Sequence, residues 1–211
     1  MGVWVWDCRV KISVSFLLLL LVIAVAGGAS YHYAGPVPGD VKATLFLQDR
    51  LTDFTDYADQ ITSAAKRPLL WGTIVVASIM VILASHWRMF LTPVLAWALA
   101  WFADKALRAK IFVPKPDDSL VNVATISTAS GLPSTFGLVF GAVFGCVIFA
   151  AQRPFTGFIM QLLAWLAIIA GAVSRIVLGG HWSSQMVASI AAGMVLAMIV
   201  TRAMQIMVGK R

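Results

Sequence analysis

Six apolar runs, each near the length that a helix needs to cross a bilayer, dominate this chain and leave little room for another architecture. A hydrocarbon core about 30 Å thick takes roughly 20 residues at a rise of about 1.5 Å each. The runs fall at 12–29, 69–85, 90–102, 136–151, 155–173 and 186–207, with short turns such as His86-Trp87-Arg88 and Gln152-Arg153-Pro154 between them. None alternates like a barrel strand, so helices are the way for these segments to satisfy their backbone groups in lipid. With 60% hydrophobic and 12% charged residues, the chain departs from soluble composition, which is about half apolar and a quarter charged. The expectation is an all-α fold, a six-transmembrane-helix bundle forming one domain over residues 1–211.

The first run contains an unbroken apolar block at 16–26, and Ala24-Val25-Ala26 would suit a signal-peptide cleavage site. We read the segment as a retained first helix. Between the first two runs the pattern changes. Val41, Leu45, Leu51, Phe54, Ala58, Ile61 and Ala65 recur at helical spacing, while Asp49, Asp53, Asp56 and Gln60 share another face. That predicts one amphipathic interfacial helix over 40–65. Small residues such as Gly137, Gly141, Gly145, Gly171 and Ala192 predict close helix approach.

All nine acidic residues are Asp, and the net charge is +7. In a membrane chain that balance points to anionic lipid or phosphate rather than to nucleic acid. Arg9, Lys11, Arg88, Arg153, Arg202, Lys210 and Arg211 fall on one side of a six-span bundle, and the positive-inside rule makes that side cytoplasmic. The opposite side is equally basic, with Lys66, Arg67, Lys105, Arg108, Lys110, Lys115 and Arg175. Charge that violates the rule needs another reason, and phosphate binding supplies one. Cys8 and Cys146 lie too far apart and are too few to suggest a disulfide framework or a metal site, and no cofactor is expected. Trp4, Trp6, Trp87 and Trp182 read as interface anchors.

Three stretches map to the non-cytoplasmic face. Arg108 is followed after six residues by Lys115-Pro116; Pro133-Ser134-Thr135-Phe136 opens a helix; Ser174-Arg175 precedes His181 by five residues. In order, spacing and sidedness these stretches resemble the type-2 phosphatidic-acid phosphatase superfamily of membrane enzymes. Its motifs read Lys-x6-Arg-Pro, Pro-Ser-Gly-His and Ser-Arg-x5-His-x3-Asp on a six-helix bundle. The resemblance runs from about residue 99 to the C-terminus, within a five-helix core at 68–211 that follows the first span and amphipathic helix at 1–67.

The resemblance implies a phosphate pocket at the outer end of the last three helices. Arg108, Lys115, Ser134, Thr135 and Arg175 would hold the phosphate, and His181 would attack phosphorus. Substrates would be membrane lipids or lipid-linked phosphates; a membrane-protein partner or homo-oligomer stays open. The compact, short-looped layout suits a bacterial inner-membrane protein with both termini cytoplasmic and the site facing the periplasm.

Two positions depart from the pattern. Phe136 stands where the superfamily has the histidine that protonates the leaving oxygen, and Gln185 where it has the aspartate that orients the nucleophile. Gln185 can still accept a hydrogen bond from His181, but it lacks the charge that stabilises an imidazolium. Phe136 donates no proton, and general-acid help is typically worth about 10²–10⁴ in rate. That help matters least when the leaving group is itself a phosphate. A lipid diphosphate, such as a polyprenyl diphosphate, therefore suits this chain better than phosphatidic acid if it is a hydrolase or phosphotransferase. The alternatives are a catalytically inactive relative that binds a phospholipid or lipid-linked sugar, and a subunit of a membrane complex. Asp117 or Asp118 could supply a replacement acid.

Overall fold

The computed structural model describes residues 14–209, and every regular element in it is helical. Helix α1 (Val14–Tyr33) is followed by α2 (Asp40–Arg50), α3 (Thr55–Ser63), α4 (Leu69–Ala84), α5 (Thr92–Arg108), α6 (Thr135–Ala150), α7 (Pro154–Val177) and α8 (Ser183–Gly209). Arg9, Lys11, Trp4, Trp6, Cys8, Lys210 and Arg211 lie outside the described residues.

Four helices are long and apolar enough to cross a membrane: α1, α5 with its preceding turn from Trp87, α7 and α8. Among the described residues, then, four long helices stand where six spans were expected. α4 and α6 are equally apolar but only 16 residues each, short of the roughly 20 a full crossing takes. The chain is an integral membrane protein, with exposed Leu, Val, Ile and Phe side chains along the outer faces of α1, α4 and α7.

α6 is the inner helix. Apolar all round, it buries most of its residues and packs most extensively on α8. The contact is close because a Cβ at Gly141 would overlap the Ile190 carbonyl, and one at Gly193 would overlap the Leu138 carbonyl. Helix signals match the sequence locally. The Ser134 hydroxyl caps α6 by accepting from the Gly137 N–H at 3.3 Å, Pro154 opens α7, and basic residues close α5 and α7. α7 extends past the expected end at 173, so Ser174 and Arg175 belong to its last turn.

The amphipathic segment differs from expectation in two ways. It is two helices, because Leu51 leaves the helical region (φ −124°, ψ 32°) before a 3-10 turn at Thr52–Phe54. In α2, moreover, the buried stripe is polar: Asp40, Thr44 and Gln48 face inward, while Leu45 and Phe46 are exposed. The polar side chains turn inward because partners await them. The Asp40 carboxylate accepts from the Ser184 N–H at 3.0 Å and the Ser184 hydroxyl at 2.6 Å, at the start of α8. The Gln48 amide donates to the carbonyls of Asn122 and Val177 and accepts from the Asn122 N–H. These two residues strap the amphipathic segment across the end of the bundle where α7, α8 and the 109–134 loop meet. Trp182 is a further correction: at 1% exposure it is a buried side chain, not an interface anchor, whereas Trp87 is 61% exposed.

Candidate functional site

The last turn of α7 delivers Arg175, and a tight reversal at Gly179-Gly180 returns the chain to α8 with His181 at its mouth. Gly179 has a positive φ of 63°, and a Cβ there would overlap the Asn122 carbonyl, so only glycine fits. A Cβ on Gly180 would come within 2.8 Å of the Arg175 guanidinium, which lies where that side chain would be. Nε of Arg175 is buried and has no hydrogen-bond partner among the described residues. A buried, unpaired guanidinium edge is costly and fits an anion that supplies its missing acceptors.

His181 is 3% exposed, and its Nδ1 lies 2.9 Å from the Gly131 carbonyl oxygen. A carbonyl only accepts, so Nδ1 carries the hydrogen and Nε2 keeps its lone pair. Burial, reinforced by the charges of Arg175 and Lys115, pushes the imidazole pKa down to about 3. The ring is neutral at physiological pH, the state a nucleophile requires.

Among the described residues, Gln185 makes no hydrogen bond to His181. It is fully buried, donates to the Pro114 carbonyl at 2.8 Å and accepts from the Trp182 N–H at 3.2 Å. The orienting contact expected of it comes from the Gly131 main chain. Gly131 is itself packed on the Gln185 amide, which a Cβ there would meet at 2.6 Å. Phe136 stacks on Phe140 with ring centroids 4.1 Å apart and lies over Gly171. It gives the pocket an apolar wall.

Arg108 lines the pocket but is largely occupied by protein. Nε pairs with Asp104 at 3.0 Å, Nη1 donates to the Ser130 carbonyl, and Nη2 donates to the Pro133 carbonyl and the Thr135 hydroxyl. Its fork therefore fastens the 109–134 loop to α5. Ser134 is buried away from the pocket as the cap of α6, its N–H donating to the Ser189 hydroxyl at 2.7 Å. Thr135 reaches the pocket and also donates to Asp104. Lys115 donates to the Ser127 hydroxyl at 3.0 Å; burial, then Arg175 and Arg108, hold its pKa below the ordinary lysine value. Asp117 and Asp118 line a separate cavity of about 290 Å³ that His181 does not reach.

Two chambers meet here. An inner one of about 160 Å³ is lined by Lys66, Arg108, Lys115, Phe136, Arg175 and His181 among others. An outer one of about 230 Å³ shares Lys66, Lys115 and Arg175 and adds Asp59, Thr125 and Ser127. Sequence reading missed the contribution of α3 and the turn after it. Asp59 and Thr62 on one face of α3, with Lys66 in the turn that follows, lie over the site.

No family model matches the sequence, and no curated protein does. Among solved structures, the fold is similar to a transmembrane PAP2-type phosphatidylglycerolphosphate phosphatase from Bacillus subtilis. The TM-score is 0.65 at 18% identity, covering 92% of this chain and 95% of that one. That likeness shows the fold.

Proposed function

We propose that this chain is a membrane lipid-phosphate phosphatase or phosphotransferase, acting on the non-cytoplasmic face through a phosphohistidine at His181. The carrying observation is a neutral, buried His181 with Nδ1 held by the Gly131 carbonyl, set in one chamber with Lys66, Lys115 and Arg175, whose buried Nε has no hydrogen-bond partner among the described residues. The similarity in fold to a lipid-phosphate phosphatase supports the same reading.

The chemistry is in-line displacement. The Nε2 lone pair forms a bond to phosphorus as the bond to the leaving oxygen breaks, and that oxygen keeps the electron pair. Arg175 and Lys115 hold the non-bridging oxygens, with Arg108 and Thr135, tied to each other and to Asp104, shaping the wall. A water or acceptor hydroxyl then attacks phosphorus, the P–N bond returns its electron pair to Nε2 to restore the neutral imidazole, and the proton of the attacking hydroxyl passes to a phosphate oxygen of the product. No protein acid sits at the Phe136 position, so good leaving groups are favoured.

A second reading has its own observation. With Phe136 there and Gln185 turned to Pro114, the inner chamber has no carboxylate or second imidazole among the described residues, as in a protein that binds a lipid phosphate without cleaving it. Phosphate release by the purified protein in detergent decides between them. The panel is phosphatidic acid, phosphatidylglycerol phosphate, undecaprenyl diphosphate and a lipid A phosphate, each with wild type and His181→Ala. Release that the variant abolishes establishes the enzyme. Equal traces from both, with lipid still co-purifying, leave a binding protein.

A further inference from the structure

We propose that the outer chamber is a second anion subsite, built by the amphipathic segment, with Lys66 as its specificity-determining residue. Its occupant is the second phosphate of a diphosphate-bearing substrate. The proposal rests on the phosphate reading of the inner chamber.

Three cations, Lys66, Lys115 and Arg175, line both chambers. They form a shared wall rather than the lining of a single pocket. A monophosphate at His181 occupies only the inner side of that wall and leaves its outer side facing about 230 Å³ of space, several times the ~30 Å³ share of one water. The outer chamber also presents the hydroxyls of Thr125 and Ser127, and Ser127 already accepts from the Lys115 ammonium at 3.0 Å. One carboxylate, Asp59, stands in the same chamber, but it is exposed and outnumbered three to one. A second phosphate seated there places the bridging oxygen against the shared cations.

This arrangement answers the missing acid. When Nε2 attacks the inner phosphorus and the bridging P–O bond breaks, the electron pair stays on the departing phosphate. That group leaves as an anion and needs no proton; Lys66 and Lys115 take up its charge. Phe136 is then tolerable at the position where an alkoxide leaving group would require a proton donor.

Inorganic pyrophosphate and orthophosphate separate the subsites, read as inhibition or by calorimetric binding to the full-length protein in detergent. Wild type should bind pyrophosphate at least about 10-fold more tightly than orthophosphate, the worth of one or two charge-assisted contacts. Lys66→Gln should remove most of that preference. Ala124→Leu, whose exposed side chain lines the outer chamber and not the inner one, should do the same while orthophosphate binding stays within about two-fold. Asp59→Asn should leave pyrophosphate binding unchanged or tighten it. Equal affinity of wild type for the two ions, an Ala124→Leu protein that keeps the preference, or weaker pyrophosphate binding in Asp59→Asn each overturns the subsite. The last outcome would mean that the chamber takes a hydrogen-bond donor instead. Any of these alongside lipid-phosphate release that His181→Ala abolishes removes the outer subsite alone; absence of that release removes the enzymatic reading itself.

Discussion

His181 Nδ1 lies 2.9 Å from the carbonyl oxygen of Gly131, so a main-chain dipole holds the imidazole that a carboxylate orients in the superfamily this chain resembles. The carbonyl fixes the tautomer as well as a carboxylate would. It offers no full charge to an imidazolium, so the ring has little to stabilise its protonated form.

That difference predicts the pH profile of stability. The folded-state pKa of His181 is about 3 against 6.5 for the free side chain. Between those values the unfolded chain binds the extra proton, so this residue's contribution to stability falls as the pH drops from 6.5 towards 3 and is constant above 6.5. Thermal melts in detergent at pH 7 and pH 5 should show the loss, and His181→Gln should flatten it by up to about 1 kcal/mol per pH unit.

Gln185 should resist conversion to the superfamily residue type. Its amide donates to the Pro114 carbonyl, which a carboxylate cannot do, and the site is fully buried. Gln185→Glu should cost about 1–3 kcal/mol without raising phosphate release, because the new carboxylate faces Pro114 and not His181. A higher rate in that variant would mean that the side chain reaches the histidine.

Asp40 ties the first amphipathic helix to the start of α8 through both the N–H and the hydroxyl of Ser184, three residues from His181. Asp40→Ala should lower stability by about 1–3 kcal/mol and reduce phosphate release with it. Asp40→Asn, which keeps one acceptor oxygen, should recover part of both, read by melting temperature and rate in parallel.

Gly180 leaves room for the Arg175 guanidinium. Gly180→Ala should displace that side chain and weaken orthophosphate binding by about 10-fold, the worth of a charge-assisted contact, while the melting temperature moves little. Unchanged binding would show that Arg175 does not hold the anion.

The helices were legible because lipid enforces one solution on apolar runs of this length, and Arg175 and His181 were legible because their spacing is local to one helix end. The face of α2 was not. Amphipathicity indicates two faces but not which of them meets protein, and here Asp40 and Gln48 found partners at Ser184 and Asn122, more than 70 residues away in sequence. Gly131 was invisible for a different reason: its role is played by a backbone carbonyl, which every residue possesses. Arg108 matched the expected position, yet Asp104, one turn earlier on α5, claims its Nε.

Phe136→His tests the leaving-group argument directly. The ring sits in the inner chamber with Arg175 and His181, stacked on Phe140 and lying over Gly171, so an imidazole there would face the same space. Losing the buried aromatic should cost about 1–3 kcal/mol. In return the variant gains an imidazole that the bound phosphate anion, offsetting the cations, lets carry a proton, and such a donor is worth about 10²–10⁴ where the leaving group is an alkoxide. Release from phosphatidic acid should therefore rise well above wild type, while release from a lipid diphosphate should change little, since that leaving phosphate needs no proton. The ratio of the two rates, measured on one preparation, cancels differences in folded fraction. A rise of equal size on both substrates would mean that the histidine acts on the nucleophile or the cations rather than on the leaving oxygen.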